Sequence, residues 1–151
     1  MRMLIYKMEE VMDNILYSID KSINTVKNGV VVLEPYLHEA KVAAQIKDEL
    51  FYNILIAFAE AVNNAIFHGN NLDYDKLVRV KIQVEDNMLD IEVWDQGVGF
   101  QPSEVDDPRD PDNLYKDSGR GVFLINNLAD FAEYINTGKG MYLKMSFKLN
   151  K

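Results

Sequence analysis

Glu60, Asn64 and His68 fall four residues apart within the stretch Leu50 to Asn70, LFYNILIAFAEAVNNAIFHGN, so a helix there stacks them along one stripe. From Leu50 to Phe67 only Asn53, Glu60, Asn63 and Asn64 are polar, which predicts about five helical turns buried on nearly every face. A carboxylate on such a helix requires a charge partner, hydrogen bonds or a ligand. Glu60 is therefore the first candidate for chemistry, its plain alternative being a buried acid that caps a loop or pairs with a lysine. Two glycine pairs follow. Asp95-Gln96-Gly97-Val98-Gly99 closes a strand and Gly119-Arg120-Gly121 opens a helix. Each pair alone is an ordinary turn signal. In order behind the acid-bearing helix they suit a phosphate-bearing ligand, because glycine lets a ligand approach the backbone and free N–H groups at a helix N-terminus attract phosphate.

The elements that must position these residues can be read from hydrophobic period. Asn14 to Ile23 alternates weakly and reads as an edge strand. Asn24 is the candidate N-cap of a helix to about Ala44, with Val31, Val32, Tyr36, Val42 and Ala43 among its apolar positions and Pro35 kinking or splitting it. Gly69-Asn70-Asn71 ends the core helix. Leu77 to Val84 alternates cleanly, and Leu89, Ile91 and Val93 resume the inward set beyond the turn Glu85-Asp86-Asn87, giving a hairpin. Phe131 to Ile135 and Tyr142 to Leu149 are two closing strands around Thr137-Gly138-Lys139-Gly140. Phe100 to Ser118 holds three of the four prolines and six acids against Arg109 and Lys116; so long an irregular loop, over about residues 100–118, reads as a lid, a binding loop or a disordered segment. Strands joined by hairpins with helices segregated between them predict an α+β, two-layer sandwich, with a mixed, mostly antiparallel sheet and helices on one face. Residues 1–13 receive no role, and 14–151 form a single domain.

Composition narrows the functional classes. A net charge of -8 over 151 residues argues against a duplex nucleic-acid surface, which needs clustered Lys and Arg, but leaves room for a local nucleotide site. The chain has no cysteine, so thiolate metal sites, disulfides and cysteine nucleophiles are out. There is no apolar run of about 18 residues to span a membrane, and acids come too early for a signal peptide. The expected location is the cytoplasm.

Three segments in order, EAVNNAIFHGN, WDQGVGF and SGRGVFLINNLAD, resemble the N, G1 and G2 boxes of the histidine-kinase-like ATPases, the Bergerat or GHKL fold, and most resemble its anti-sigma-factor, serine-protein-kinase branch of RsbW type. The likeness covers about residues 48–149. It implies ATP and Mg²⁺, with Asn64 giving its side-chain oxygen to the metal and Glu60 as general base. It further implies that Asp95 accepts from the adenine amino group, that Gly97 and Gly99 let the backbone pass the base, and that the Gly119 to Gly121 amides bind phosphate. Arg120 would reach a phosphate or a partner protein. For His68 the reading is a satisfied helix-end histidine, with contact on the phosphate side as the alternative. The implied partners are a sigma factor or other regulator and a STAS-type antagonist protein, and the implied assembly a homodimer. Asp106, Asp107, Asp110, Asp112 and Asp117 in the lid segment would repel a triphosphate unless they face solvent or a basic partner.

Rival readings are weaker in the residues. A self-contained sensor histidine kinase needs a phosphoacceptor on a dimerising hairpin; His38-Glu39 fits superficially, yet only one helix-sized segment precedes the Glu60 helix. Asn71-x-Asp73-x-Asp75 suggests a calcium loop, but Lys76 stands where the turn glycine belongs and Ile82 where the bidentate glutamate belongs. There is no G-x-S-x-G, and two histidines give little scope for a triad. The remaining alternative is a non-catalytic module that sequesters a regulatory partner, with nucleotide bound or not.

Overall fold

The structure is a computed structural model and describes residues 14–99, 107–110 and 120–150. In chain order its elements are β1 (Ile15–Asn24), α1 (Gly29–Ala44), α2 (Asp48–Asn63), a π-helical turn (Asn64–Gly69), β2 (Leu77–Glu85), β3 (Met88–Trp94), α3 (Arg120–Leu128), β4 (Phe131–Asn136) and β5 (Met141–Lys148). The strands form one sheet in the order β1-β2-β3-β5-β4. Every pairing in it is antiparallel, as both hairpins require, so the mostly antiparallel sheet expected from sequence is antiparallel throughout the described strands.

Period-2 alternation decides the layers. Val78, Val80, Ile82 and Val84 of β2, Leu89, Ile91 and Val93 of β3, and Leu143, Met145 and Phe147 of β5 are buried together, so one face of the sheet supplies half of the core. The helices supply the other half: Leu33, Leu37 and Ala40 from α1, and Phe51, Ile54, Phe58 and Val62 from α2. Between β2 and β3 the turn is closed by Asp86, which adopts φ 50, a conformation that Asp tolerates.

Several sequence expectations change. Asn24 is the last residue of β1, and its Nδ2 donates to Tyr74 O at 3.0 Å; the helix starts five residues later, with Asn28 at its N-cap. Both faces of α1 carry apolar residues, and the buried one is Gly29, Leu33, Leu37 and Ala40, while Val31 and Val42 are 66% and 77% exposed. Pro35 lies inside α1 without splitting it; the bond forgone is a single one to the carbonyl four residues back. Finally, Asp48–Gly69 is 22 residues long and apolar enough by length and composition to cross a membrane, contrary to the reading that no such run exists. In this fold it is a core helix, since Phe51, Ile54, Phe58, Val62 and Ile66 are buried.

Candidate functional site

Helix α2 is regular to Asn63 and then widens. Asn70 N donates to Ala65 O at 2.8 Å, the five-residue spacing of a π turn. His68 lies within that turn and is exposed.

The pair faces the start of α3. A methyl group built on Gly121 would lie 2.9 Å from Glu60 Oε2, 3.0 Å from Asn64 Nδ2 and 3.2 Å from Asn64 Oδ1. Only glycine therefore lets the first turn of α3 meet both side chains. The opening amides of α3 have no partner within the helix and mark its positive end. Glu60 and Asn64 are each half-buried. No hydrogen bond or ion pair joins either side chain to another described residue. Arg120, the first residue of α3, is exposed at the same end. Gly119 lies outside the described residues, as does most of the lid segment.

Asp95 is built into a second corner. It follows β3, and its backbone N donates to Met141 O at 3.0 Å, continuing the β3–β5 register in which Trp94 faces Tyr142. Its Oδ1 accepts from Gly97 N at 2.9 Å and from Met141 N at 3.1 Å, whereas Oδ2 accepts from no described residue. Three glycines leave room for it. A Cβ on Gly69 would stand 2.1 Å from Asp95 Oδ2, one on Gly97 would stand 1.8 Å from Gly69 O, and one on Gly140 would stand 1.9 Å from Asp95 O. Gly99, at φ +76, packs against Asn136 instead. Along the sequence Gly69 and Gly140 read only as a helix end and a turn; their close approach depends on how the π turn, β3 and β5 meet, which period cannot reveal.

The π turn thus links the two corners, with Asn64 at its start facing α3 and Gly69 at its end against Asp95. Together they give a carboxylate and an amide beside a helix N-terminus, and a half-free carboxylate one turn away. A separate hollow of about 260 Å³ borders the Asp95 turn beside Arg79, Trp94 and Lys139. It opens on the outer face of the sheet, away from Glu60 and Asn64.

Burial pushes the Asp95 carboxyl above the usual carboxylate range, against the opposing pull of the Gly97 and Met141 N–H groups. The neutral form is therefore favoured by folding. Its stabilising contribution is fully present below the unfolded-state value and is lost as pH rises through the folded one. Asp95→Asn, which keeps an acceptor for both amides and carries no charge, is expected to melt at or above the wild-type temperature at pH 7, with the difference vanishing in acid. A lower Tm at pH 7 would show that the charge is compensated in the fold.

Comparison with known proteins adds to this geometry. The model of the histidine kinase-like ATPase domain matches residues 30–147. An anti-sigma F factor from Geobacillus thermodenitrificans is 33% identical over 111 residues, covering 69% of this chain and 74% of that protein. One from Clostridium perfringens (strain SM101 / Type A) is 31% identical over 105 residues, covering 65% and 72%. Among solved structures, the RsbU and RsbW domains of Rv1364c from Mycobacterium tuberculosis superpose with a TM-score of 0.64 at 15% identity, over 88% of this chain and 32% of that one. The histidine kinase domain of a blue-light activated kinase from Erythrobacter litoralis superposes with a TM-score of 0.52 at 19% identity, over 67% of this chain and 45% of that one. At these identities the two structures speak for the fold.

Proposed function

The chain belongs to the histidine kinase-like ATPase family, on the branch of the anti-sigma factors, and from that premise we propose that it is an ATP- and Mg²⁺-dependent protein serine/threonine kinase that works by partner switching in the cytoplasm. In one state it holds a sigma factor or a comparable regulator. In the other it phosphorylates a small antagonist protein of STAS type. The observation that carries the reading is the placement of Glu60 and Asn64 against Gly121, at the N-terminus of α3.

Each residue has a task in that chemistry. Asp95 Oδ2 accepts from the 6-amino group of adenine, and Gly97 and Gly99 keep side chains away from the base. The α3 amides at Gly121, together with Arg120, bind phosphate oxygens; Gly119 has the same assignment by family likeness. Asn64 fits Mg²⁺: it offers a neutral oxygen, and the described residues contain no group of three or more acids or histidines able to cage a metal. Such a sparse donor set suits an ion that keeps waters and phosphates as its other ligands. When bound, Mg²⁺ supplies charge neutralisation to the β- and γ-phosphates. Glu60 takes the proton of the attacking serine or threonine hydroxyl. The hydroxyl oxygen bonds to the γ-phosphorus, the bond from that phosphorus to the β–γ bridging oxygen breaks, and ADP leaves.

Gly121→Ala separates this role from folding. The atoms that a methyl would meet are the ends of two flexible side chains, and alanine is favoured over glycine within a helix by about 1 kcal/mol. The variant is expected to keep or raise its Tm while phosphotransfer falls about 10²-fold through misplacement of Glu60 and Asn64. Activity within twofold of wild type would show that α3 does not set the site.

The proposal as a whole is tested by incubating the protein with γ-labelled ATP, Mg²⁺ and the STAS-domain proteins of its own genome. Label on a serine or threonine of one of them is the expected result. The acids of residues 100–118 favour a second reading, a sequestering module without phosphotransfer, and nucleotide binding with no label on any antagonist would support it.

A further inference from the structure

Asn70 follows the π turn and is fully buried, as is Thr25. All its side-chain bonds are made in one small cluster. Nδ2 donates to Leu77 O at 2.9 Å and to Thr25 Oγ1 at 2.9 Å, while Oδ1 accepts from Gln96 N at 2.7 Å. Thr25 Oγ1 in turn donates to Lys76 O at 2.8 Å. The amide orientation is chemically fixed, since a carbonyl accepts and a backbone N–H donates.

The bond to Gln96 N matters beyond packing. Gln96 and Gly97 carry the two amides that follow Asp95. Asn70 takes the first, and the second, with Met141 N, goes to Asp95 Oδ1. This division holds the carboxylate by one oxygen and leaves Oδ2, beside Gly69, without a hydrogen bond from the described residues. The Gln96 side chain adds an outer tie, its Oε1 accepting from Leu77 N at 2.7 Å. Meanwhile the backbone N of Asn70 closes the π turn that starts at Asn64. One residue therefore fixes both the turn that carries the metal-side amide and the turn that carries the base-side carboxylate.

We propose that Asn70 is the positioning residue for base recognition, aiming Asp95 at an exocyclic amino group and so setting preference for adenine over a 6-oxo purine. The inference rests on the nucleotide reading above and adds a determinant outside the glycine boxes. A merely structural asparagine would weaken all nucleotides together. A positioning residue changes their ratio.

The test is calorimetric titration of the full chain with MgATP and, separately, MgGTP. Asn70→Ala is expected to lower the ATP-over-GTP preference about tenfold, by weakening ATP while leaving GTP within twofold, the scale of one hydrogen bond to a charged group. Thr25→Val loosens the same cluster but keeps the bond to Gln96 N, and should leave the preference unchanged. Asn70→Ser carries the same test should Asn70→Ala not fold, and the exposed Gln96→Ala should show a smaller loss of preference in the same direction. Equal weakening of both nucleotides in the Asn70 variants would overturn the positioning role while leaving the nucleotide site in place. Failure of the wild type to bind either nucleotide would remove the site itself, and this role with it.

Discussion

Glu60→Ala is expected to bind MgATP within about threefold of wild type and to transfer its γ-phosphate roughly 10²–10⁴-fold more slowly, the range that a positioned general base contributes. The expectation follows from where the carboxylate sits. It is half-buried on a core helix, against the α3 N-terminus at Gly121, with no described residue paired to it. An acid kept there for stability would have a cation beside it, because an uncompensated carboxylate is costly. Removal of this one should therefore leave Tm unchanged or raise it. Single-turnover transfer to the antagonist, measured beside ATP binding and a thermal melt, separates the roles. A large drop in Tm with transfer retained would make Glu60 a structural acid.

Gly97→Ala is expected to damage fold and site together. Its added methyl would stand 1.8 Å from Gly69 O, a backbone atom that cannot swing aside as a side chain does. Either the end of the π turn or the Asp95 turn must shift, and overpacking of this kind costs about 3 kcal/mol. For a chain of this size that is roughly 6–12 °C in Tm. ATP affinity should fall more than tenfold beyond the stability loss, because the displaced segment holds Asp95. Gly138→Ala is the matched control. Gly138, unlike Gly97, is at positive φ, +78, and a Cβ there meets nothing within 4 Å, so only backbone strain of about 1 kcal/mol is expected, with ATP affinity intact. Equal effects at the two glycines would mean that the Gly69 contact is not what position 97 requires.

Much of this arrangement is legible in the sequence. The β2–β3 hairpin is readable because Val78, Val80, Ile82 and Val84 alternate without a break, and antiparallel strands buried on one face impose that alternation. The α2 helix is readable because its apolar run exceeds what a strand can use. The reading that the chain has no apolar run of about 18 residues misses this helix, because its polar residues do not remove its overall apolarity. The Glu60 and Asn64 pair survives in the fold because it lies within regular helix, where i, i+4 holds. The π turn that carries His68 is not legible, because such a turn has no reliable sequence signature. Helix α1 carries valines at 31, 32 and 42 and leucines at 33 and 37, so two faces compete, and only packing against α2 and the sheet chooses the second. Asn24 and Asn28 are equivalent caps by type; the β1–β2 ladder, which runs through Asn24 opposite Leu77, decides between them. Gly69, Gly140 and Asn70 are hidden for a common reason. Each acts through a contact far away in sequence, and hydrophobic period records neighbours along the helix or strand, not across the fold.

In the proposed function Asn64, beside Glu60 and Gly121, and Asp95, in its glycine corner, are two ends of one MgATP site. That claim is tested most directly by calorimetric titration of ATP into wild type and Asn64→Ala, each with and without Mg²⁺. The expected result is binding that tightens with Mg²⁺ in the wild type, and loss of that Mg²⁺ increment in Asn64→Ala, with metal-free binding retained through the Asp95 end. No binding by the wild type at millimolar ATP, or an equal Mg²⁺ increment in both proteins, would contradict it.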